Sequence, residues 1–150
     1  MGISTFNKEI LKCSKVLLDT SAIIYFLNDT PPYQDVLKQL FTLIEDGAIE
    51  AVISLITEIE LLVGPMKREN EQQLEGVKLF LNEFPNLTVA SVSRDIGFQA
   101  ARIRATTGLK LPDALIIATG IVYNCDTCIG NDLSWKKCKK LSFICLDDLV

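Results

Sequence analysis

Histidine is absent from the 150 residues of this chain. Its absence excludes the Ser-His-Asp and Cys-His nucleophile systems, zinc sites with imidazole ligands, and any imidazole general base. Any chemistry must therefore come from carboxylates, hydroxyl groups, lysines, thiols or a bound metal ion.

Long apolar runs and an excess of positive charge are also missing. The longest apolar stretch, from Ala114 to Tyr123, is broken by Thr119 and Gly120 and is shorter than the roughly 18 residues of a membrane span. Residues 1–14 lack the apolar segment of a secretory signal, so we expect a cytoplasmic protein with no membrane association. The net charge of −4 argues against broad, nonspecific polyanion binding, although a bound divalent cation would offset acidic charge locally.

The composition is that of one compact domain. Hydrophobic residues make up 49% and charged residues 23%, which excludes a disordered chain, and 150 residues can bury a core without disulfides. Cys125 and Cys128 form a C-x-x-C pair, but the second such pair that a four-thiolate zinc site usually needs is missing. We therefore expect reduced, partly buried thiols.

Short apolar segments alternate with amphipathic ones along the chain. Strands are predicted at 15–18, 49–53, 87–89, 128–129 and 143–146, and helices at 22–27, 36–44, 55–63, 67–84, 93–108 and 113–123. The helix after Ser54 is predicted to stop before Gly64 and Pro65. This alternation favours an α/β fold, a parallel sheet with helices on both faces.

Four acidic residues lie where predicted strands end or helices begin. They are Asp19, Glu60, Asp113 and Asp132. Because sites in such sheets form beyond the carboxyl ends of the strands, the four can converge on one edge. Clustered carboxylates repel one another unless a cation binds, and oxygen ligands alone favour Mg²⁺ or Mn²⁺ over zinc.

Three of these acids also have a purely structural explanation. Asp113 suits a helix N-terminus, Glu60 could form a capping box with Thr57, and Asp132 suits a turn. Glu58 is an alternative metal-binding acid on the same helix. The carboxylate after the first strand has no comparable explanation and is the strongest functional candidate.

Four ordered segments resemble the PIN domain family. They are residues 16–21 (VLLDTS), 60–64 (ELLVG), 111–118 (LPDALIIA) and 131–135 (NDLSW), and the resemblance covers residues 15–146. The chain is most similar to the VapC-type toxins, which are small, stand-alone PIN proteins. We accordingly predict an N-terminal extension over residues 1–14 and a single PIN-like nuclease domain over residues 15–150.

The resemblance implies a Mg²⁺- or Mn²⁺-dependent endoribonuclease that hydrolyses RNA phosphodiesters with metal-activated water. Its catalytic and metal-binding acids would be Asp19, Glu60, Asp113 and Asp132. The family pattern favours Glu60 over Glu58, because its glutamate precedes a glycine by four positions. It further implies that Thr20 or Ser21 positions water or phosphate, that the protein is a homodimer, and that a cognate antitoxin inhibits it.

The chain departs from the family pattern around the fourth acid. Gly130 stands where relatives often have Thr or Ser, Ser134 where some have another acid, and Trp135 where Phe is usual.

Basic residues flank two of the predicted site residues. Arg102, Arg104 and Lys110 precede the third acid, and Lys136, Lys137, Lys139 and Lys140 follow the fourth. We expect Arg102 and Lys110 to contact RNA phosphates, the alternative being ordinary solvated surface charge.

Two other functions are compatible with the fold. A non-catalytic PIN-like module that binds RNA or protein is the main alternative, although such a module has no reason to keep four repelling carboxylates. A phosphotransfer domain is disfavoured because Asp19 lacks a second Asp two positions on, and because acids, not a lysine, follow the last strand.

Overall fold

The computed structural model describes residues 2–150, with the backbone alone for Ile3, and Met1 of the predicted N-terminal extension lies outside it. Within these residues the strands are β1 (Lys15–Leu18), β2 (Glu50–Ser54), β3 (Leu87–Ala90), β4 (Thr127–Gly130) and β5 (Ser142–Cys145). The helices are α1 (Ile3–Leu11), α2 (Thr20–Leu27), α3 (Gln34–Glu45), α4 (Leu55–Lys67), α5 (Glu71–Glu83), α6 (Arg94–Thr107) and α7 (Leu111–Val122). Two 3₁₀ helices, Leu133–Lys137 and Leu146–Leu149, flank β5.

The strands form one parallel sheet in the order β3-β2-β1-β4-β5. The predicted α/β fold is thereby confirmed. The chain moves outward from β1 to β2 and β3 on one side and to β4 and β5 on the other. The carboxyl ends of β1 and β4 therefore flank the point where the strand order reverses, which is the usual position of a site in an open parallel sheet.

Both faces of the sheet are buried, which explains why the strand sequences are almost continuously apolar. Val16 and Leu18 of β1 belong to one buried cluster, and Leu17 between them belongs to the other. Successive side chains of a strand point to opposite faces, so one short strand contributes to two cores. Phe6 and Ile10 of α1 are also fully buried in the first cluster, so this helix packs on the domain.

The predicted break between the helices of residues 55–63 and 67–84 is in the wrong place. The helix after Ser54 does not stop at Val63 but continues through Gly64 and Pro65 to Lys67. Pro65 is buried on the same face as Leu61, four residues earlier, and packing on that face offsets the hydrogen bond that proline cannot donate. The break lies instead at residues 68–70.

Asn70 begins the following helix later than the sequence pattern predicts. Its side chain accepts a hydrogen bond from the backbone N–H of Gln73 at 3.0 Å, so α5 starts at Glu71 and not at Lys67. Glu69 before it has a positive φ of 53°, which turns the chain between the two helices. None of the helices in residues 2–150 combines the length and the apolar character needed to cross a membrane.

Candidate metal centre

Asp19 lies at the junction of β1 and α2. Its backbone N–H donates to the carbonyl of Ile129 at 3.0 Å, which extends the pairing of β1 with β4 by one residue. Its side chain caps α2: Oδ1 accepts from the N–H of Thr20 at 2.7 Å, and Oδ2 accepts from the Ser21 hydroxyl at 3.2 Å. The carboxylate thus accepts two hydrogen bonds, and the backbone of the same residue is tied to β4 by a third.

The Asp19 carboxyl is buried, and its surroundings destabilise its charged form. Only 8% of the residue is exposed. Burial, together with the neighbouring charges of Asp113 and Glu60, raises its pKa to about 6, although the hydrogen bonds from Thr20 and Ser21 oppose that change. A carboxylate held in this way gains from any cation that reaches it.

Glu60 joins the site through Thr20. The Thr20 hydroxyl donates to Glu60 Oε1 at 2.7 Å, and the buried Thr57 hydroxyl lies 3.2 Å from the same oxygen of Thr20. Thr57 therefore contacts the site and does not form the capping box considered above, since Ser54 caps α4. Among residues 2–150, Glu58 makes no side-chain hydrogen bond or ion pair, so Glu60 is the glutamate of α4 that faces Asp19.

Asp113 completes the group from the first turn of α7. It is half-buried, and burial together with the charges of Asp132 and Glu60 raises its pKa. Lys110, the residue that precedes α7, acts in the opposite direction and lowers the pKa of Asp113. The structure thus places Asp19, Glu60 and Asp113 within electrostatic reach of one another, with Asp132 beside Asp113.

Asp132 is exposed and caps the 3₁₀ helix that follows β4. Its Oδ1 accepts from the backbone N–H of Ser134 at 3.0 Å and from the Ser134 hydroxyl at 2.6 Å. The loop that carries it is fastened by Asn131, whose amide bridges Tyr33 and Asp147. Asp132 therefore both shapes this turn, as the structural explanation holds, and adds negative charge next to Asp113.

No basic side chain of residues 2–150 forms an ion pair with any of these four acids. Lys110 offsets part of the charge of Asp113 without pairing with it, and the donor set consists of carboxylate oxygens with neighbouring hydroxyls. That chemistry fits Mg²⁺ or Mn²⁺. As the side chains stand, no three His, Cys, Asp or Glu residues of the described chain form a group close enough to hold one ion, so binding requires side-chain rotation.

The effects of Gly130 and Trp135 on the acids were not predicted from the sequence. A Cβ atom at Gly130 would lie 2.8 Å from the Cβ of Asp19, so the glycine makes room for that carboxylate. Trp135 is 2% exposed, and its buried indole nitrogen makes no hydrogen bond of standard geometry in the described residues, yet its N–H is near enough to lower the pKa of Asp113. Both positions depart from the family pattern, and this departure is the feature of the sequence that could have drawn attention to them.

The predicted substrate contacts fall into two groups. Thr20 and Ser21 are at the centre, where both hydroxyls bond to the acids. Arg102 is exposed on α6, and its guanidinium lies 5.0 Å from the centroid of the Phe98 ring. Lys110 is exposed beside Asp113.

The C-x-x-C thiols are buried and protonated, although Cys128 is near enough to Asp19 for the charge of that acid to act on its pKa. Burial raises the pKa of Cys125 to about 12 and that of the fully buried Cys128 well above its ordinary range. Both thiols therefore stay protonated near neutral pH, which is unfavourable for binding a metal as thiolates.

The fold is a parallel α/β sheet with a group of acidic residues, here called the acidic centre, at the point where the strand order reverses. The model of the PIN domain matches residues 16–141, and the chain belongs to this family. Among curated proteins, no sequence matches the chain significantly.

Solved structures of toxin–antitoxin complexes share the fold. VapBC2 of Rickettsia felis bound to a DNA fragment from its promoter is 23% identical, with a TM-score of 0.72 over 87% of this chain and 97% of that chain. A toxin–antitoxin complex from Klebsiella pneumoniae is 25% identical, with a TM-score of 0.67 over the same shares of the two chains. DNA-bound VapBC from Salmonella typhimurium is 19% identical, with a TM-score of 0.70 over 89% and 98%.

Proposed function

We propose that this protein is a Mg²⁺- or Mn²⁺-dependent endoribonuclease and the toxin of a toxin–antitoxin pair. The observation that carries the proposal is the carboxylate cluster without ion-pair partners in residues 2–150, in which burial and like charges raise the pKa of Asp19 to about 6. A catalytic metal site is the simplest reason to keep such a costly arrangement at the carboxyl edge of the sheet.

The acidic and hydroxyl side chains of the site would have different roles. Asp19, Glu60 and Asp113 would hold the ion, with Asp132 adding negative charge from the exposed side. When bound, the ion supplies the positive charge that polarises a phosphate and lowers the pKa of water. The Thr20 and Ser21 hydroxyls would keep the Glu60 and Asp19 carboxylates at this edge of the sheet, and the acidic side chains would rotate to bring their oxygens onto the ion.

An antitoxin partner is supported by the complexes in which the structural neighbours occur. It is also supported by an apolar groove of about 340 Å³ between α2, α4 and α5, which has Glu60 on its lining. Ile24 and Leu27 line it and are more than a third exposed. A peptide with apolar side chains that filled this groove would reach the acids from one side. The homodimer stays a prediction from the family resemblance.

Cleavage of structured RNAs tests the enzymatic proposal. Purified protein is incubated with the RNAs in Mn²⁺, in Mg²⁺ and in EDTA, and Asp19→Asn protein serves as the control for contaminating nucleases. We expect cleavage with either metal and none with EDTA or with the variant. Equal cleavage by both proteins would refute the assignment of Asp19.

The alternative is a PIN-like module that binds RNA or protein without catalysis. It is favoured by the observation that no three acidic, cysteine or histidine side chains in residues 2–150 stand ready to bind an ion. RNA binding that is independent of metal, with no turnover on any RNA, would support this alternative over the nuclease.

A further inference from the structure

The surface also has a positively charged cavity. A cavity of about 540 Å³ lies between the C-terminal half of α6 and the segment that ends the first 3₁₀ helix. Its basic lining residues are Arg102, Lys137, Lys139 and Lys140. The sequence shows these residues as parts of two separate clusters, and the fold joins them into one surface, here called the basic cavity.

The positive charge of the basic cavity is not neutralised by the protein. No Asp or Glu lines it, and within residues 2–150 none of its four cations forms an ion pair. Neighbouring basic residues differ in this respect: Lys136 pairs with Asp148 at 3.7 Å, and Arg104 donates to the carbonyl of Leu109 at 3.1 Å. In a chain of net charge −4, four unpaired cations around one cavity indicate an anionic ligand.

An aromatic side chain adjoins the same surface. Phe98 is 60% exposed on α6, and the Arg102 guanidinium lies over its ring. The contact orients Arg102 and leaves an arginine–aromatic pair of the kind on which nucleobases stack. Cations that track a backbone beside such a pair suit single-stranded nucleic acid better than a small free anion.

The basic cavity shares its supporting elements with the acidic centre. Lys137 ends the 3₁₀ helix that Asp132 begins, and α6 leads through residues 108–110 into the first turn of α7, where Asp113 lies. The acidic centre and the basic cavity are therefore connected through the same two short stretches of chain.

We propose that the basic cavity binds backbone phosphates of the RNA strand next to the bond that is cleaved. The identity of the strand as RNA rests on the function proposed above. The cavity would hold the flanking strand in place while the acidic centre acts on the phosphodiester.

The test measures binding without cleavage. Fluorescence anisotropy of a labelled single-stranded RNA is recorded in EDTA, over a range of salt concentrations, with the wild-type protein. The test variant combines Lys137→Ala, Lys139→Ala and Lys140→Ala, and the matched control combines Lys8→Ala, Lys38→Ala and Lys78→Ala. Both variants remove the same net charge.

We expect the test variant to bind at least about tenfold more weakly than the control. Because each phosphate contact to a single strand contributes about 0.7 to the slope of log K against log salt, the slope should fall by about 2 in the test variant alone. Equal affinities and slopes for the two variants would overturn the proposal.

The result is distinguishable from a failure of the proposed function. If cleavage is never observed but binding depends on these lysines, the basic cavity stands and the nuclease does not. If Mn²⁺-dependent cleavage is observed and the test variant binds like the control, the nuclease stands and the basic cavity does not.

Discussion

Gly130 and Asp19 lie in direct contact across the junction of β4 and β1. A Cβ atom at position 130 would be 2.8 Å from Asp19 Cβ and 2.9 Å from its Oδ2, closer than such atoms approach in proteins. Gly130 ends β4 and Asp19 directly follows β1, and the backbone bond from Asp19 to Ile129 holds the two segments side by side. The rotamer of the most buried acid therefore depends on the missing side chain of its neighbour.

Gly130→Ala should displace Asp19 and disturb the centre. We expect a loss of about 1–3 kcal/mol in the free energy of unfolding, typical of overpacking, and a several-fold weaker affinity for Mn²⁺. Chemical denaturation and calorimetric titration measure the two effects. Gly97→Ala is the control, because a Cβ there meets nothing within 4 Å and should stabilise α6 by about 0.5–1 kcal/mol. An Mn²⁺ affinity of Gly130→Ala equal to that of the control would contradict this account.

Asp19→Asn should stabilise the metal-free protein above pH 6. A carboxyl whose pKa rises from 3.8 to about 6 on folding costs about 3 kcal/mol once it is ionised in both states. That cost is absent below pH 3.8, grows as the pH rises to 6, and is constant above it. We expect the variant to be about 1–3 kcal/mol more stable than wild type at pH 8 in EDTA, because the amide keeps part of the capping interaction.

Urea denaturation at pH 4 and pH 8 checks this expectation. The two proteins should be nearly equal at pH 4. A variant that is less stable than wild type at pH 8 would show that the carboxylate is a stabilising cap and not a strained ligand.

Thr20→Val should impair catalysis without affecting the fold. The substitution keeps the shape of the side chain but removes the hydroxyl that donates to Glu60 at 2.7 Å. We expect a fall of about tenfold or more in the rate of Mn²⁺-dependent RNA cleavage, with a change of less than about 1 kcal/mol in stability. Thr42→Val removes a comparable hydroxyl, which donates to the Lys38 carbonyl, and should leave the rate unchanged. Equal rates for the two variants would show that Thr20 does not position Glu60.

Trp135→Phe should shift the pH dependence of metal binding. The variant keeps an aromatic ring in the core but removes the indole N–H that lowers the pKa of Asp113. The pKa of Asp113 should then rise, so more protons compete with the metal at low pH. We expect Mn²⁺ affinity to fall at acidic pH and to change little at alkaline pH.

Phe143→Leu is the matched control for that variant. Phe143 packs near Trp135, with ring centroids 6.2 Å apart, but offers no donor to Asp113. Any effect of packing alone should appear in both variants and be independent of pH. The indole N–H would have no role if the two variants followed the same pH profile.

The strand-end acids were predictable because their positions follow from topology. Each lies next to the end of a strand or the start of a helix, which the apolar runs of the sequence indicate. A parallel sheet brings the carboxyl ends of its strands to one edge. Glu60 is different, because its distance into α4 leaves Glu58 equally plausible from the residues alone. The contact with Thr20 that distinguishes them joins two helices and is a property of the tertiary structure.

The missed features share a physical cause. The Gly64–Pro65 pair usually ends a helix, but here Pro65 is buried beneath the α4–α5 face, and packing overrides the local preference. No helix was predicted within residues 1–14, although Phe6 and Ile10 lie at helical spacing and are fully buried. In each instance the outcome depends on burial in the tertiary structure, which the local sequence pattern does not show.

The central claim is that these carboxylates bind a hard divalent ion, and calorimetric titration of Mn²⁺ into the protein tests it most directly. Wild-type protein should bind Mn²⁺ saturably, and Asp19→Asn protein, folded and equally concentrated, should bind it at least about tenfold more weakly. Absence of binding to the wild type, or the same affinity in both proteins, would contradict the account.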